Sequence, residues 1–591
     1  MGQKPDTIQN NFTGGEISPR ALGRFDVAKY NNAAEIVENF IIYQLGGVLY
    51  RPGTRYAATT KTIADRSRLL RFQYSTEQSY VIEAGHLYFR YFTNSGQLYS
   101  SGTTPVELTT PFDKSYLRRI KYTQNADTMY ITTGVYAPQK HQRTSTTAFS
   151  IAAVNFVRGP FLDTNITATT ITPNAATGNV TLTASASIFQ SGHIGSLWRI
   201  NTGVVKITGY TSATSVAGTV QAEPDGSAGT LTGTSAYTDW AEGAWSGVRG
   251  YPQVVMFHEG RLYYAATTYQ PGGVWASVPF AYDNFKEGAD DDDAINIELN
   301  ADTVVSIRWM SSSPKGLQLG TTGGVFVLGS GNQGLPITPD NVNAPRETFV
   351  GTADIPAKRM LNYTYYVKND LQRFLESGYQ FDVDSVDAID TTLLADHILN
   401  APIPTTIPSR FSHELGGAYD MDSQQSPNDR IWIVRDDGQI AILTRNVRQD
   451  VNGWSRFTAG ETFSCDGASG TGSFESIAII QREGAADQIW VIVNRRINGT
   501  AQRYVEFFTE ENFKYEWDPV RLDCSLSLNT PISITAITLG PTYITVTAPA
   551  HGLANGDQVR LDNIVGTHQL NGRQFLVGDI GVNTFNLYEI P

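Results

Sequence analysis

Chemistry in a chain needs nucleophiles, acid–base pairs or ligand sets that the fold can bring together, and the candidates here are few. The cysteines are Cys465 and Cys524, too few and too far apart for a disulfide framework or a cysteine-rich metal site, so two buried free thiols are expected. The eight histidines are His86, His141, His193, His258, His397, His413, His551 and His568. None shows the H-x-x-x-H or paired Cys/His spacing that sets ligands on one element, so structural roles are expected. Asp396-His397 comes nearest to an acid–base pair, but sequence neighbours diverge on a strand and on a helix and cannot form a dyad. The run Asp290 to Asp293 lacks the spaced ligands and turn glycine of an EF-hand loop and reads as a solvated loop before the strand INIEL. Asp382, Asp384 and Asp387 make a second acidic cluster of the same kind. No G-x-x-x-x-G-K-[ST] occurs, and no G-x-G-x-x-G opens a helix after a strand; Gly331 to Gly334 reads as a loop. No catalytic residue, cofactor-binding residue or metal ligand is assigned, and the chain is expected to be non-enzymatic and to need no cofactor.

The elements that would position any site are strands. At 591 residues the chain exceeds the roughly 250–300 at which one hydrophobic core stops growing, so several domains are expected. With 29 Tyr, 27 Phe and 54 Gly it has the strand and turn formers of a mainly β protein. The formal charge of −13 repels phosphate backbones and disfavours sequence-specific nucleic-acid binding. No stretch of eighteen apolar residues occurs and the N-terminus lacks a secretory pattern, so a soluble protein made in a cytoplasm, with no stable membrane insertion, is expected.

From about residue 66 a unit recurs, a polar turn followed by a strand mixing aromatic and β-branched residues. The copies are QSYVIEAGHLYFRYF (78–92), NADTMYITT (125–133), HEGRLYYAAT (258–267), TGGVFVLGS (322–330), YTYYVKNDLQRFL (363–375), NDRIWIVRDDGQIAIL (428–443) and ADQIWVIVNRRINGTAQRYVEFF (486–508). One long gap aside, their spacing suits four-stranded blades, and the turn Arg435-Asp436-Asp437-Gly438-Gln439 is a strong hairpin signal. The fold expected is a β-propeller of six or seven blades over 61–159 and 241–526; a chain of separate β-sandwiches is the competing arrangement. The gap, 160–240, is Thr/Ala/Ser-rich and reads as a small β-sandwich or barrel inserted into a blade. Residues 527–591, with turns at Asn555-Gly556-Asp557 and Asn571-Gly572, read as a small barrel of five or six strands. Residues 1–60 read as an arm followed by an amphipathic helix over 26–42, with Asp26 as N-cap and Val27, Tyr30, Ala34, Val37 and Ile41 on one face.

The opening run NNFTGGEISPRALGRFDVAKYNNAAEIVENFIIYQLGGVLYRPGTRYAA resembles that of a family of short-tailed bacteriophage virion proteins, the tail nozzle or tail tubular proteins. The likeness rests on Gly15, Glu16, Ile17, Ser18, Pro19, Arg24, Phe25, Asp26, Lys29, Tyr30, Arg51, Pro52 and Gly53. Later landmarks of the same kind are GYPQVVMFHEGRLYYA, ITPDN (337–341), LLADHIL, DDGQIAIL and DVNGWSRF (450–457). VTAPAHGLANGDQV and LNGRQFLVGDIGVNTFNLY look like the small β-barrel called the first catalytic cysteine half-domain of ubiquitin-activating enzymes, without a cysteine nucleophile or an adenylation site.

The resemblance implies a homohexameric ring of propeller subunits below a tail adaptor ring, continuing the channel through which double-stranded DNA passes without specific binding. It places the protein in the virion tail, assembled in the bacterial host cytoplasm, with tail fibres or spikes as further partners. Under it the charge would give an acidic bore on which DNA slides. The arm and helix become the candidate adaptor interface, through Phe12, Ile17, Arg24, Phe25, Tyr30 and Phe40. Two alternatives stay open: a tail-associated polysaccharide-degrading enzyme, needing two carboxylates about 5–9.5 Å apart, and a polysaccharide-binding protein. The repeated S-x-D-x-G-x-x-W turn of sialidase-type propellers is absent, and the inserted segment is poor in Trp, which counts against sugar stacking.

Overall fold

The middle strands of the repeat, such as RIWIVR and QIWVIV, are apolar on both faces, so each must be covered on both sides, as happens when sheets stack around a ring. The computed structural model describes residues 9–589 apart from 76–77, 94, 102–103, 332–333, 381–384, 401–416, 466–467, 483, 498–499, 512–519 and 526–531. Asp382, Asp384 and His413 therefore lie outside the described residues, as does the side chain of Cys465.

The body is a seven-bladed β-propeller. Its blades are antiparallel sheets whose innermost strands are, in order, Arg68–Gln73, Lys121–Asn125, Val254–His258, Ile307–Ser313, Lys358–Met360, Ala418–Gln424 and Ala468–Ile480. Each of the seven sequence copies falls in a different blade. Seven hydrophobic clusters each join one blade to the next and close the circle. The alternation that does this is clear in blade six, where Ile431 and Ile433 pack on blade five while Trp432 and Val434 pack on blade seven.

The ring is locked by the N-terminal part of the chain. Thr54–Thr59 forms the outermost strand of blade seven, antiparallel to Thr500–Phe508, and the chain then enters the innermost strand of blade one. The joint is ionic as well as hydrogen-bonded. Glu506 accepts Arg495 Nε and Nη2 at 2.7 and 2.8 Å and the Thr54 hydroxyl at 2.5 Å, with Arg495 and Glu506 both buried.

Several expectations need correction. Residues 26–42 form no long helix: a 3-10 turn at Tyr30–Asn32 is followed by short strands Ala33–Ala34 and Phe40–Ile42. Asn39 has φ 58°, which ends helical geometry, and the backbone here pairs with blade six instead. Arg456 N donates to Val37 O, and Asn39 N donates to Arg456 O. Tertiary pairing overrides a weak propensity. The described part of the 1–60 segment is likewise not a separate module, because Gly15–Glu16 and Ala33–Ala34 extend blade six and Thr54–Thr59 completes blade seven.

The inserted unit, a six-stranded sheet between Ile171 and Glu242, lies between blades two and three, not within a blade. The C-terminal unit, Ala536 to Glu589, is a five-stranded antiparallel sheet whose outer strands Ala536–Leu539 and Gln558–Arg560 do not pair with each other. Among the described residues no helix is long and apolar enough to cross a membrane.

Candidate functional site: the N-terminal strap and the propeller channel

The residues carrying the N-terminal likeness form a strap across blade six. Gly15 pairs in parallel with Trp454 at φ 67°, and a Cβ there would stand 2.2 Å from Trp454 N, so glycine is required for this approach. Glu16, 1% exposed, is the anchor: Val37 N donates to its Oε2 at 2.8 Å, His397 Nε2 lies 2.7 Å from Oε1, and Arg456 Nε lies 3.3 Å from Oε2. Burial raises its pKa, but His397, the Val37 amide and Arg456 together outweigh that and hold it below the ordinary carboxyl value.

Asp396, beside His397 in sequence, turns the other way and takes Ser18 Oγ at 2.5 Å and Arg20 Nη1 at 2.9 Å. The two are no dyad, as expected; both clamp the strap. Further on, Arg51 grips Asp523 with Nη1 and Nη2 at 2.7 and 2.6 Å. The landmark motifs thus meet in pairs, GGEISP with LLADHIL and DVNGWSRF, and HEGR with ITPDN through Ile337 N and Glu259 Oε2 at 3.2 Å. They are structural joints.

The six candidate interface residues separate in the structure. Ile17, within the strap, is buried and is unavailable to a partner. Phe12, Tyr30 and Phe40 are half-buried, Phe40 against Tyr50 with ring centroids 4.8 Å apart. Arg24 and Phe25 remain outward: Arg24 is paired with Asp26 at 2.6 Å, and Phe25, 75% exposed, is set edge-on to Tyr30. Leu22, Ile36, Leu45 and Tyr50 add exposed apolar surface to the same N-terminal region, four positions the sequence reading did not single out.

The seven innermost strands turn an unpaired edge to the central hole, where their amides need partners. Neighbouring blades supply them through side chains. Leu69 N donates to Ser476 Oγ at 3.0 Å, Arg71 N to the Tyr122 hydroxyl at 3.0 Å, Gln73 N to Gln124 Oε1 at 2.9 Å and Ile479 N to Asp422 Oδ2 at 2.7 Å. The cavity inside measures ≈ 730 Å³, the size of a small-molecule pocket; a double helix has a major groove alone about 12 Å wide.

Charged groups bridge this wall between blades. Lys358 Nζ meets Asp422 at 2.8 Å, Arg68 Nη2 lies 3.5 Å from Asp420, and Lys121 pairs with Asp354. Burial works to raise the Asp422 pKa, but Lys358, Arg71 and the Ile479 amide hold it below the ordinary value. Two lining cations have no such bond to a carboxylate. Arg359 donates to Ser312 O at 2.7 Å and to Leu361 O, and Arg71 makes no side-chain hydrogen bond among the described residues. Burial opposes the Arg71 charge, yet the fields of Asp422 and Asp487 keep its pKa above the ordinary value. None of these residues stands out in the sequence. The available signal was that the first strand of a blade is polar where the second is apolar, as in AYDMDSQ against RIWIVR.

Elsewhere the chemical candidates are structural. Asp293 Oδ2 accepts the Asp290 amide at 3.0 Å, and Arg261 donates to Asp291 O and Asp293 O, so the acidic run is a braced loop. Among the described residues no group of three His, Cys, Asp or Glu could hold a metal ion. His141 stacks on Tyr91 and Phe149, and burial pushes its pKa down to about 4. Cys524 is in no disulfide among the described residues and is half-buried where burial was expected.

No family model matches the chain, and no curated protein matches it. Among solved structures it is similar to the WD40 domain of Neurospora crassa Pan2 at 8% identity and TM-score 0.29, covering 68% of this chain and 93% of that one. It is also similar to the C-terminal WD40 domain of Sif2 at 7% and 0.36, covering 78% and 100%. An ancestral GH74 enzyme aligns at 10% and 0.31, covering 90% and 62%. Likenesses this distant carry no argument about function.

Proposed function

We propose that this chain is a structural subunit of a short-tailed phage tail, six copies of which form a nozzle ring that continues the DNA channel below the adaptor ring. The observation that supports it most is the strap. Gly15, Glu16, Ser18 and Arg51 of the motif behind the likeness are used in joints to blades five to seven, and the loop they hold, 19–30, presents Leu22, Arg24 and Phe25 outward. An aromatic anchor beside an arginine on a rigidly held loop suits docking to a neighbouring ring.

In this reading DNA passes between subunits, because each propeller's own cavity is bridged by side chains. Since the cavity lining is on balance cationic while the chain carries −13, the acidic surplus lies on other surfaces, where it can face a bore. The chain is non-enzymatic in this reading. A glycosidase needs one carboxyl with a raised pKa as its acid, whereas the cavity's Asp420 and Asp422 are engaged by Arg68, Ser476, Lys358 and the Ile479 amide.

The mass and symmetry of the purified protein, alone and with a neighbouring tail protein, test the proposal. A six-fold ring with a central hole is expected, and a monomer under all conditions or a trimeric rod would count against it. Point variants serve better than deleting residues 1–45, since that deletion removes Glu16, Ile17, Val37, Ile41 and Ile42 from the blade-six joint. Leu22→Ser with Phe25→Asp should change stability by less than about 0.5 kcal/mol and abolish co-purification with the adaptor protein. Assembly at the unmodified level would remove this loop from the interface.

A further inference from the structure

The propeller cavity carries more cation than its acids neutralise. Five of its lining residues are basic, Arg68, Arg71, Lys121, Lys358 and Arg359, and two are acidic, Asp420 and Asp422. Three local pairs account for Arg68 with Asp420, Lys358 with Asp422, and Lys121 with Asp354. That leaves Arg71 on blade one and Arg359 on blade five, on far sides of a seven-membered ring, each with N–H donors that no carboxylate among the described residues takes. Asp487 also acts on Arg71 through its field, but its Oδ2 accepts the amides of Gln425 and Ser426 at 2.7 and 3.0 Å.

A guanidinium presents a planar fork of five donors suited to phosphate-type oxygens, and two such forks facing one polar cavity suit a ligand with oxyanion groups at both ends. The rest of the wall mixes apolar side chains, among them Val254, Met256, Trp309 and Met421, with amides: Gln73, Gln124, Gln425 and Gln481 come from four blades, with Gln481 Nε2 donating to Gln425 Oε1 at 3.0 Å.

We propose that the central cavity binds a small polyvalent oxyanion of the pyrophosphate class, held between Arg71 and Arg359. Such a ligand ties blades one and five across the hole, so it stabilises the closed ring by mass action. The inference stands independently of the tail assignment.

Thermal unfolding of the full chain with sodium phosphate, sodium pyrophosphate or ADP, against sodium chloride at matched ionic strength, tests it. A saturable rise in Tm of about 2 °C or more with pyrophosphate is expected, larger than with phosphate. Equal affinity for ADP and pyrophosphate supports an inorganic ligand, and tighter ADP binding supports a nucleotide. The Arg71→Gln, Arg359→Gln double variant should weaken binding at least 10-fold, while Arg199→Gln on the inserted unit should leave it unchanged. A rise no larger than that in chloride, or an undiminished one in the double variant, overturns the proposal. Should the double variant not fold, 31P relaxation of pyrophosphate on the unmodified protein decides. Broadening that excess chloride leaves in place supports the site, and no broadening overturns it.

Discussion

Replacing Glu506 by alanine is expected to be the most damaging single change in the propeller, lowering stability by about 3–5 kcal/mol, the usual cost of leaving a buried charge without its partner. Arg495 is 1% exposed and Glu506 0%, so water cannot take over the lost bonds. Asp523, 3.8 Å from Arg495 Nη2, is already held by Arg51. The Thr54 hydroxyl loses its acceptor as well, so the damage falls on the seam where the first and last parts of the ring meet. For a chain of this size unfolding is best followed as a rate. A several-hundred-fold faster loss of native fluorescence in denaturant is expected, with Glu506→Gln intermediate because it keeps one hydrogen-bonding oxygen. A change within threefold of the unmodified protein would show that the sheet hydrogen bonds alone hold the ring.

The second large effect is expected at the strap. Glu16→Ala removes three interactions of one buried carboxylate, those with the Val37 amide, His397 and Arg456. The loss should be about 2–3 kcal/mol, because His397 and Arg456 are partly solvated and regain water while the amide does not. Hydrogen exchange over residues 15–42 should accelerate while blades two to four keep their protection.

Acid should do the same to the unmodified protein. A carboxyl whose folded pKa is depressed contributes stability that is complete above its ordinary value of 4.5, and that contribution is lost as pH falls through the lower folded value. Strap protection should therefore be flat at neutral pH and decline only in strongly acidic buffer. Glu16→Gln, which cannot ionise, should flatten the decline. Unchanged exchange in Glu16→Ala would mean that Asp396 and the Gly15 pairing suffice without it.

The blades were legible in the sequence because a two-face burial requirement writes long apolar strands such as QIWVIV, and because turns such as Asp437-Gly438 mark their ends; the structure closes that turn with Gly438 at φ 85°. The strap was misread because Val27, Tyr30, Ala34, Val37 and Ile41 fall at helical spacing by coincidence. The contacts that set their conformation come from Trp454 and Arg456, more than 400 residues away. The cavity was illegible for a related reason: its charged groups come from four blades, Arg68 and Arg71, Lys121, Lys358 and Arg359, and Asp420 and Asp422, and only ring closure brings them together. Phe25 and Arg24 could be named from residue type, but only burial separates them from Ile17.

The closing strand also sets a timetable for synthesis. Thr54 and Glu506, which meet across the seam, lie 452 residues apart. At translation rates of about 5–20 residues per second, the outer strand of blade seven leaves the ribosome some ~20–90 s before its partner exists. Over that interval its edge is unpaired, and the strand it awaits has the same sequence in every nascent chain nearby. On crowded polysomes one copy's residues 54–59 can complete another copy's last blade, so intermolecular strand exchange is the characteristic error of this architecture, favoured by high expression and suppressed by slow, dilute production.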